Sequence, residues 1–206
     1  MRPMLLLACS VLLLAGCTDK RESPSRDPQA AASKGRAIFQ SLINQQTYEG
    51  FGFETVDEAG QIQLGPPMPV FDVPPERLWG FSRGKDANEL LVRSFETIYP
   101  ITVKGQVRSS LTVVQTGKEE YRAAGFGDAA LVKQLFSFRI DDKAAAFVVR
   151  VLGLHMYFLG QKTQGHFTLT PIYEESRLGL RAGERYEADE VFQRLGQIAD
   201  KSYPPR

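Results

Sequence analysis

Two segments, 101–114 and 147–173, most limit the folds open to this chain. Ile101 to Val114 is rich in β-branched residues and turns on Lys104-Gly105, the signature of a hairpin. The second segment runs from Phe147 to Leu159, turns through a loop from Gly160 to Gly165, and returns over His166 to Tyr173. Each leads into an apolar stripe at helical spacing. Asp128 precedes Leu131, Val132, Leu135 and Phe136, and residues 187–200 carry Val191, Phe192, Leu195 and Ile198. Consecutive antiparallel strands with helices at intervals argue against a doubly wound parallel sheet. They predict an α+β fold: an antiparallel sheet with helices packed on one face, in two degenerate β-hairpin–helix units.

Upstream, a helix is expected to begin at Asp27-Pro28 or Ser33. Ile38/Leu42 and Phe39/Ile43 give it one stripe, and Gly50 and Gly52 end it. Gln61 to Leu64 reads as a short strand. Pro66, Pro67, Pro69, Pro74 and Pro75 bracket Val70 to Val73, which predicts an edge strand or rigid loop there. With 206 residues, 43% of them hydrophobic, one core of ordinary size can be buried, and residues 30–206 read as a single globular domain. Lys+Arg number 25 against 24 Asp+Glu, so the basic excess of a nucleic-acid binder is missing. With two histidines and two cysteines, neither a metal centre nor a cofactor site is expected.

The N-terminus carries the most specific motif. Arg2 supplies a positive charge, Met4 to Leu14 is an apolar run too short to span a bilayer, and Leu14-Ala15-Gly16-Cys17 follows. This resembles the lipobox of bacterial lipoproteins. The resemblance implies a signal peptide over 1–16, a diacylglycerol on the Cys17 thiol, palmitate-type acylation, and anchoring in the cell envelope. Thr18 after the cysteine implies the outer membrane, facing the periplasm, if the host has two membranes. Residues 17–29, polar and proline-containing, read as the acylated Cys and a flexible tether. In the order of its elements, the region Tyr99 to Val114 followed by Phe126-Gly127 is similar to exported bacterial helix-on-sheet modules of the cystatin-like or PepSY-like kind.

Several short patterns could carry chemistry. Gly80-Phe81-Ser82-Arg83-Gly84 fits the G-x-S-x-G nucleophile elbow, with Asp141 or Asp142 and His155 or His166 downstream in hydrolase order. The residues before it are Pro74-Pro75-Glu76-Arg77, where an elbow needs an apolar parallel strand. Ser82 to Lys85 also fits S-x-x-K, without that motif's companions. Gly125 to Ala130 fits G-x-G-x-x-A, but Asp128 would repel a phosphate at that helix start. If a loop joins their strands, His155 and His166 come within reach of each other, though a partly buried or interface histidine is the better reading of His155. Asp141-Asp142 reads as a solvated turn.

Phe71, Trp79 and Phe81, in irregular Pro/Gly-rich sequence, are the candidate binding surface. No constellation sets nucleophile, base and orienting group together, so the expected role is non-catalytic: a binding or accessory protein for an envelope protein, a peptide or peptidoglycan. The alternatives are a small serine hydrolase using Ser82 and a carrier of an apolar ligand.

Overall fold

The computed structural model describes residues 24–139, 145–163 and 166–202. The lipobox and Asp141-Asp142 lie outside them. The described elements begin with α1 (Pro28–Leu42), a 3-10 turn over 56–61, β1 (Gln63–Leu64), β2 (Met68–Val73), α2 (Pro75–Leu78) and a 3-10 turn over 87–90. A meander of β3 (Val92–Val103), β4 (Gln106–Gly117) and β5 (Glu120–Gly127) leads into α3 (Ala129–Ser137). A second meander, β6 (Ala145–Val151), β7 (Met156–Thr163) and β8 (His166–Pro171), leads through β9 (Tyr186–Glu187) into α4 (Ala188–Ser202). All the described strands join one sheet in the order β5-β4-β3-β2-β6-β7-β8-β9, with β1 on β3. The α+β class expected from the sequence is the class observed.

The meanders run outward from β2 in opposite directions. β3 is antiparallel to β2 and β6 is parallel to it, the one parallel pairing among the described strands. That is the strand repeat foreshadowed by the two hairpin–helix units. The helices do not follow it. Tyr99, Ile101, Leu111 and Val113 face α1 through Ala31, Ala32 and Phe39. Phe147, Val149, Val151, Phe158 and Leu169 face α4 on the same side of the sheet through Val191, Phe192 and Leu195. Met68, Val70, Val148 and Leu159 point the other way and take Leu131, Val132 and Leu135 of α3. The one-face arrangement expected from the sequence is therefore corrected: helices cover both faces. The cause is that consecutive residues of the inner strands, Val148-Val149 and Phe158-Leu159, are both apolar and both buried, as central strands require.

β2 is a central strand, not an edge. Pro69 is tolerated because the pairing with β6 begins only at Val70, so the missing N–H falls where β2 has one neighbour. The run Phe147 to Leu159 is not continuous either. It breaks at a turn over 152–155, where Gly153 (φ +80°) and His155 (φ +52°) take left-handed conformations, and β7 carries on through Gly160. α1 starts at Pro28, with Asp27 accepting from the Ala30 N–H at 2.8 Å, and ends at Leu42, well before Gly50. The ordered domain begins ahead of residue 30. Ser25 pairs with Tyr121 through two backbone hydrogen bonds of 2.9 and 2.8 Å, so the last part of the expected tether is pinned to the edge of β5.

Candidate functional site

Between β2 and β3 the register slips. Pro69 lies opposite Thr97 and Phe71 opposite Arg93, so two steps along β2 match four along β3. Ser94, Phe95 and Glu96 are left facing Val70 alone. Such a bulge bends the strand and re-aims its side chains. The Arg93 side chain fills the interruption. Its Nη1 donates to the carbonyls of Val70 (3.0 Å) and Glu96 (3.2 Å), its Nη2 to Thr97 Oγ1 (3.3 Å), and its guanidinium lies 5.4 Å from the centre of the Phe71 ring.

The bulge has two outcomes on opposite sides. On the α3 side it delivers Ser94 and Glu96 to Arg150 of β6. Arg150 Nε donates to Asp72 Oδ1 at 2.8 Å and Nη1 to Glu96 Oε2 at 2.8 Å. Its Nη2 reaches Asp72 Oδ2 at 3.3 Å, Ser94 Oγ at 3.2 Å and Glu96 Oε1 at 3.3 Å. Burial works against the guanidinium charge, but hydrogen bonds and the charges of Asp72 and Glu96 outweigh it and hold Arg150 above its ordinary value. With both edges of its fork engaged on carboxylates, Arg150 works as a brace across β2, β3 and β6. Beside it a depression of about 220 Å³ is lined by Val151, Leu152, Gly153, His155, Met156 and Tyr157.

On the other side, Phe95 is thrown into solvent at 73% exposure, the most exposed large hydrophobic side chain among the described residues. It edges a second depression of about 420 Å³ with Gln115, Thr116, Gly117 and Lys118 at the tip of the β4–β5 hairpin. Phe95 was not among the residues singled out from the sequence. The hairpin read from the sequence begins only at Ile101, and a bulge leaves no signature when no glycine marks it.

The expected aromatic surface is only partly open. Phe71, Trp79 and Phe81 are half-buried and packed against the α4 core. Phe71 meets Phe147 edge-on at 5.3 Å, and Phe81 meets Phe192 at 6.1 Å. Trp79 Nε1 is buried without a hydrogen-bond partner among the described residues. Ser82 sits exposed in a turn between α2 and the 3-10 turn at 87–90, not at the end of a strand, so the elbow geometry is lacking. Lys85 Nζ donates to the Gly80 carbonyl at 2.9 Å, and the S-x-x-K pattern is accounted for by a turn clasp. Asp128 caps α3 from a left-handed conformation, with Oδ1 accepting from the Leu131 N–H. His155 lies in the β6–β7 turn and position 166 pairs with Thr163 at the far end of β7, so the hairpin separates the two histidines rather than joining them. Among the described residues no cluster of three His, Cys, Asp or Glu side chains could hold a metal.

Comparison with known proteins returns no matching family model, no matching curated protein and no matching solved structure.

Proposed function

We propose that this chain is a lipid-anchored cell-envelope protein whose α+β domain binds a partner and performs no chemistry of its own. The anchoring rests on Leu14-Ala15-Gly16-Cys17 behind the short apolar run. The binding role rests on one observation, the β3 bulge that spends a strand position on an outward-facing phenylalanine. A buried Phe95 would contribute roughly 1.5–3 kcal/mol to a core. The fold forgoes that and supports the exposed ring with a dedicated arginine plug on one side and a three-strand ion-pair brace on the other. The hydrolase reading lacks comparable support, since Ser82 is placed in a solvent-facing turn.

The test joins location and contact. Radioactive palmitate is expected to label the wild-type chain and leave a Cys17→Ser variant unlabelled and released from membranes. A photo-crosslinking residue at position 95 is expected to give specific adducts in intact cells. An unlabelled wild-type chain that fractionates like Cys17→Ser would remove the anchoring. Ester hydrolysis by residues 18–206 that disappears in Ser82→Ala would replace binding with catalysis.

A further inference from the structure

The exposed apolar residues are unevenly placed. The described residues have five large hydrophobic side chains well exposed: Ile38, Leu42, Phe95, Leu152 and Tyr173. Ile38 and Leu42 lie on the last turns of α1, which runs away from the Ser25–Tyr121 pair, with Gly35 over Ala123 and then Phe39 stacked on Phe126. Phe95, Leu152 and Tyr173 lie at the opposite end of the sheet. There β2 finishes at Val73 beside Val151, β3 begins beside Asp72, β4 turns into β5 at 117–120, and Tyr173 follows β8. Leu152 is fixed to that end by its N–H, which donates to the Val73 carbonyl at 3.1 Å.

The chain from Cys17 enters the fold at this same end. Ser25 pairs with Tyr121, Tyr121 with Gln115, and Gln115 lies abreast of Phe95, one step beyond the Val114–Glu96 pair. Ser25 and Phe95 are thus three strand spacings apart, about 14 Å. Phe95 and Leu152 are two spacings apart sideways and about four residues apart along the strands, about 16 Å in all. From residue 17 to residue 25 is eight steps, which reach at most about 28 Å when fully extended. A bilayer holding residue 17 therefore keeps this end of the sheet within about 28 Å of it, whereas the Lys104-Gly105 end lies farther along the strands.

We infer that the tether end of the sheet docks on the bilayer itself, with Phe95 and Leu152 seated at the lipid interface. The inference rests on the anchoring proposed above and names the partner of the Phe95 surface. Charge around the site decides what kind of docking this is. Arg26, Lys118 and Arg122 are balanced in number by Asp27, Glu119 and Glu120, so these charges do not by themselves favour anionic lipids. Attachment comes from apolar side chains entering the interface, with the anchor keeping them at high effective concentration. Weak contacts that would not hold a free domain suffice for a tethered one.

The experiment uses the full acylated protein in phosphatidylethanolamine/phosphatidylglycerol vesicles, with a nitroxide on Thr116→Cys, beside Phe95, or on Gln106→Cys. Gln106 is at the far end of the hairpin, roughly 27 Å from Phe95 along the strands. Collision with a nickel chelate, which stays in water, is compared with collision with oxygen, which partitions into lipid. The label at 116 is expected to be shielded from nickel and the label at 106 to be water-like. Adding Phe95→Asp is expected to raise nickel access at 116 on the order of tenfold while circular dichroism stays unchanged. Equal nickel access at 116 and 106, in protein whose N-terminal mass carries the acyl chains, overturns the docking alone. A mass without acyl chains overturns the anchoring and the docking with it. Shielding at 116 that vanishes without phosphatidylglycerol shows that charge drives the contact, against the apolar docking inferred here.

Discussion

The helices α1 and α4 lie on the same face of one sheet, yet they close their halves of the core in different ways. Phe39 of α1 is fully buried among Phe51, Phe53 and Phe126, and two of those rings belong to the irregular stretch that follows the helix. Phe192 of α4 is buried against Phe81 and Phe167, and through Phe167 it joins Phe147 and Phe71 in the strands. The first hub fastens a loop to a helix. The second fastens a helix to the middle of the sheet. The first cluster thus adds a local closure, Phe39 on Phe51 and Phe53, to its contact with Phe126 of β5, whereas the second is built wholly from contacts between separate elements.

Removing each hub should separate the two halves most sharply. Phe192→Ala and Phe39→Ala are each expected to cost about 3–5 kcal/mol in urea denaturation. Phe192→Ala should lower global stability with native-like cleavage patterns until unfolding. Phe39→Ala should in addition open the 44–55 stretch to proteolysis under native conditions. Equal protection of that stretch in both variants would break the distinction.

A glycine of α1, Gly35, and one of β7 under α4, Gly160, come next. A Cβ on Gly160 would run into the Phe147 ring, which Phe71 and Phe167 hold on either side. A Cβ on Gly35 would meet the Ala123 Cβ at 2.6 Å and Leu111 Cδ1 at 3.0 Å. Overpacking of this kind costs about 1–3 kcal/mol. In Gly35→Ala it is offset by roughly 1 kcal/mol of helix propensity. Gly160→Ala should therefore lower the melting temperature clearly more than Gly35→Ala, and the reverse order would show that the α4 half is the more pliable.

Acid should weaken the α1 half. Glu58 is largely buried, which opposes its charge, but the Glu54 N–H and the Arg108 guanidinium at 2.7 Å outweigh burial and hold its carboxyl below the ordinary range. A depressed carboxyl stabilises the fold above its unfolded value of about 4.3, and that contribution is lost as pH falls through the lower folded value. Glu58→Gln should flatten the loss of stability between neutral pH and pH 3. A variant with the wild-type slope would assign the acid response elsewhere.

Phe95→Ala is expected to change stability by less than about 0.5 kcal/mol, since the ring buries little. A larger loss would mean that the bulge depends on the ring, and that Phe95 belongs to the fold rather than to a surface.

The strands and helices of the outer elements were legible because each obeys a local rule. Lys104-Gly105 turns its hairpin, Asp27-Pro28 starts α1, and Asp128 caps α3. Features set by neighbours in space were not. The prolines around β2 read as an edge because the sequence does not reveal that β6 pairs only from Val70 onward. The turn after Val151 was hidden because Leu152 and Leu154 continue the apolar run on either side of Gly153. The surface at Phe95 depends on a register slip set by two strands and plugged by Arg93, and nothing in the linear order of Arg93 to Glu96 marks it.

The seam between β2 and β6 carries a kinetic consequence. Asp72 and Arg150, which lie side by side in it, are 78 residues apart in the chain. Both meanders can zip from their own turns, but the seam must close a loop that contains one of them entire. Loop closure of that length is the slow kind of step, and strand edges left open in the meantime can pair with other chains. A nascent chain held with its halves formed and this junction open is the species most prone to aggregate.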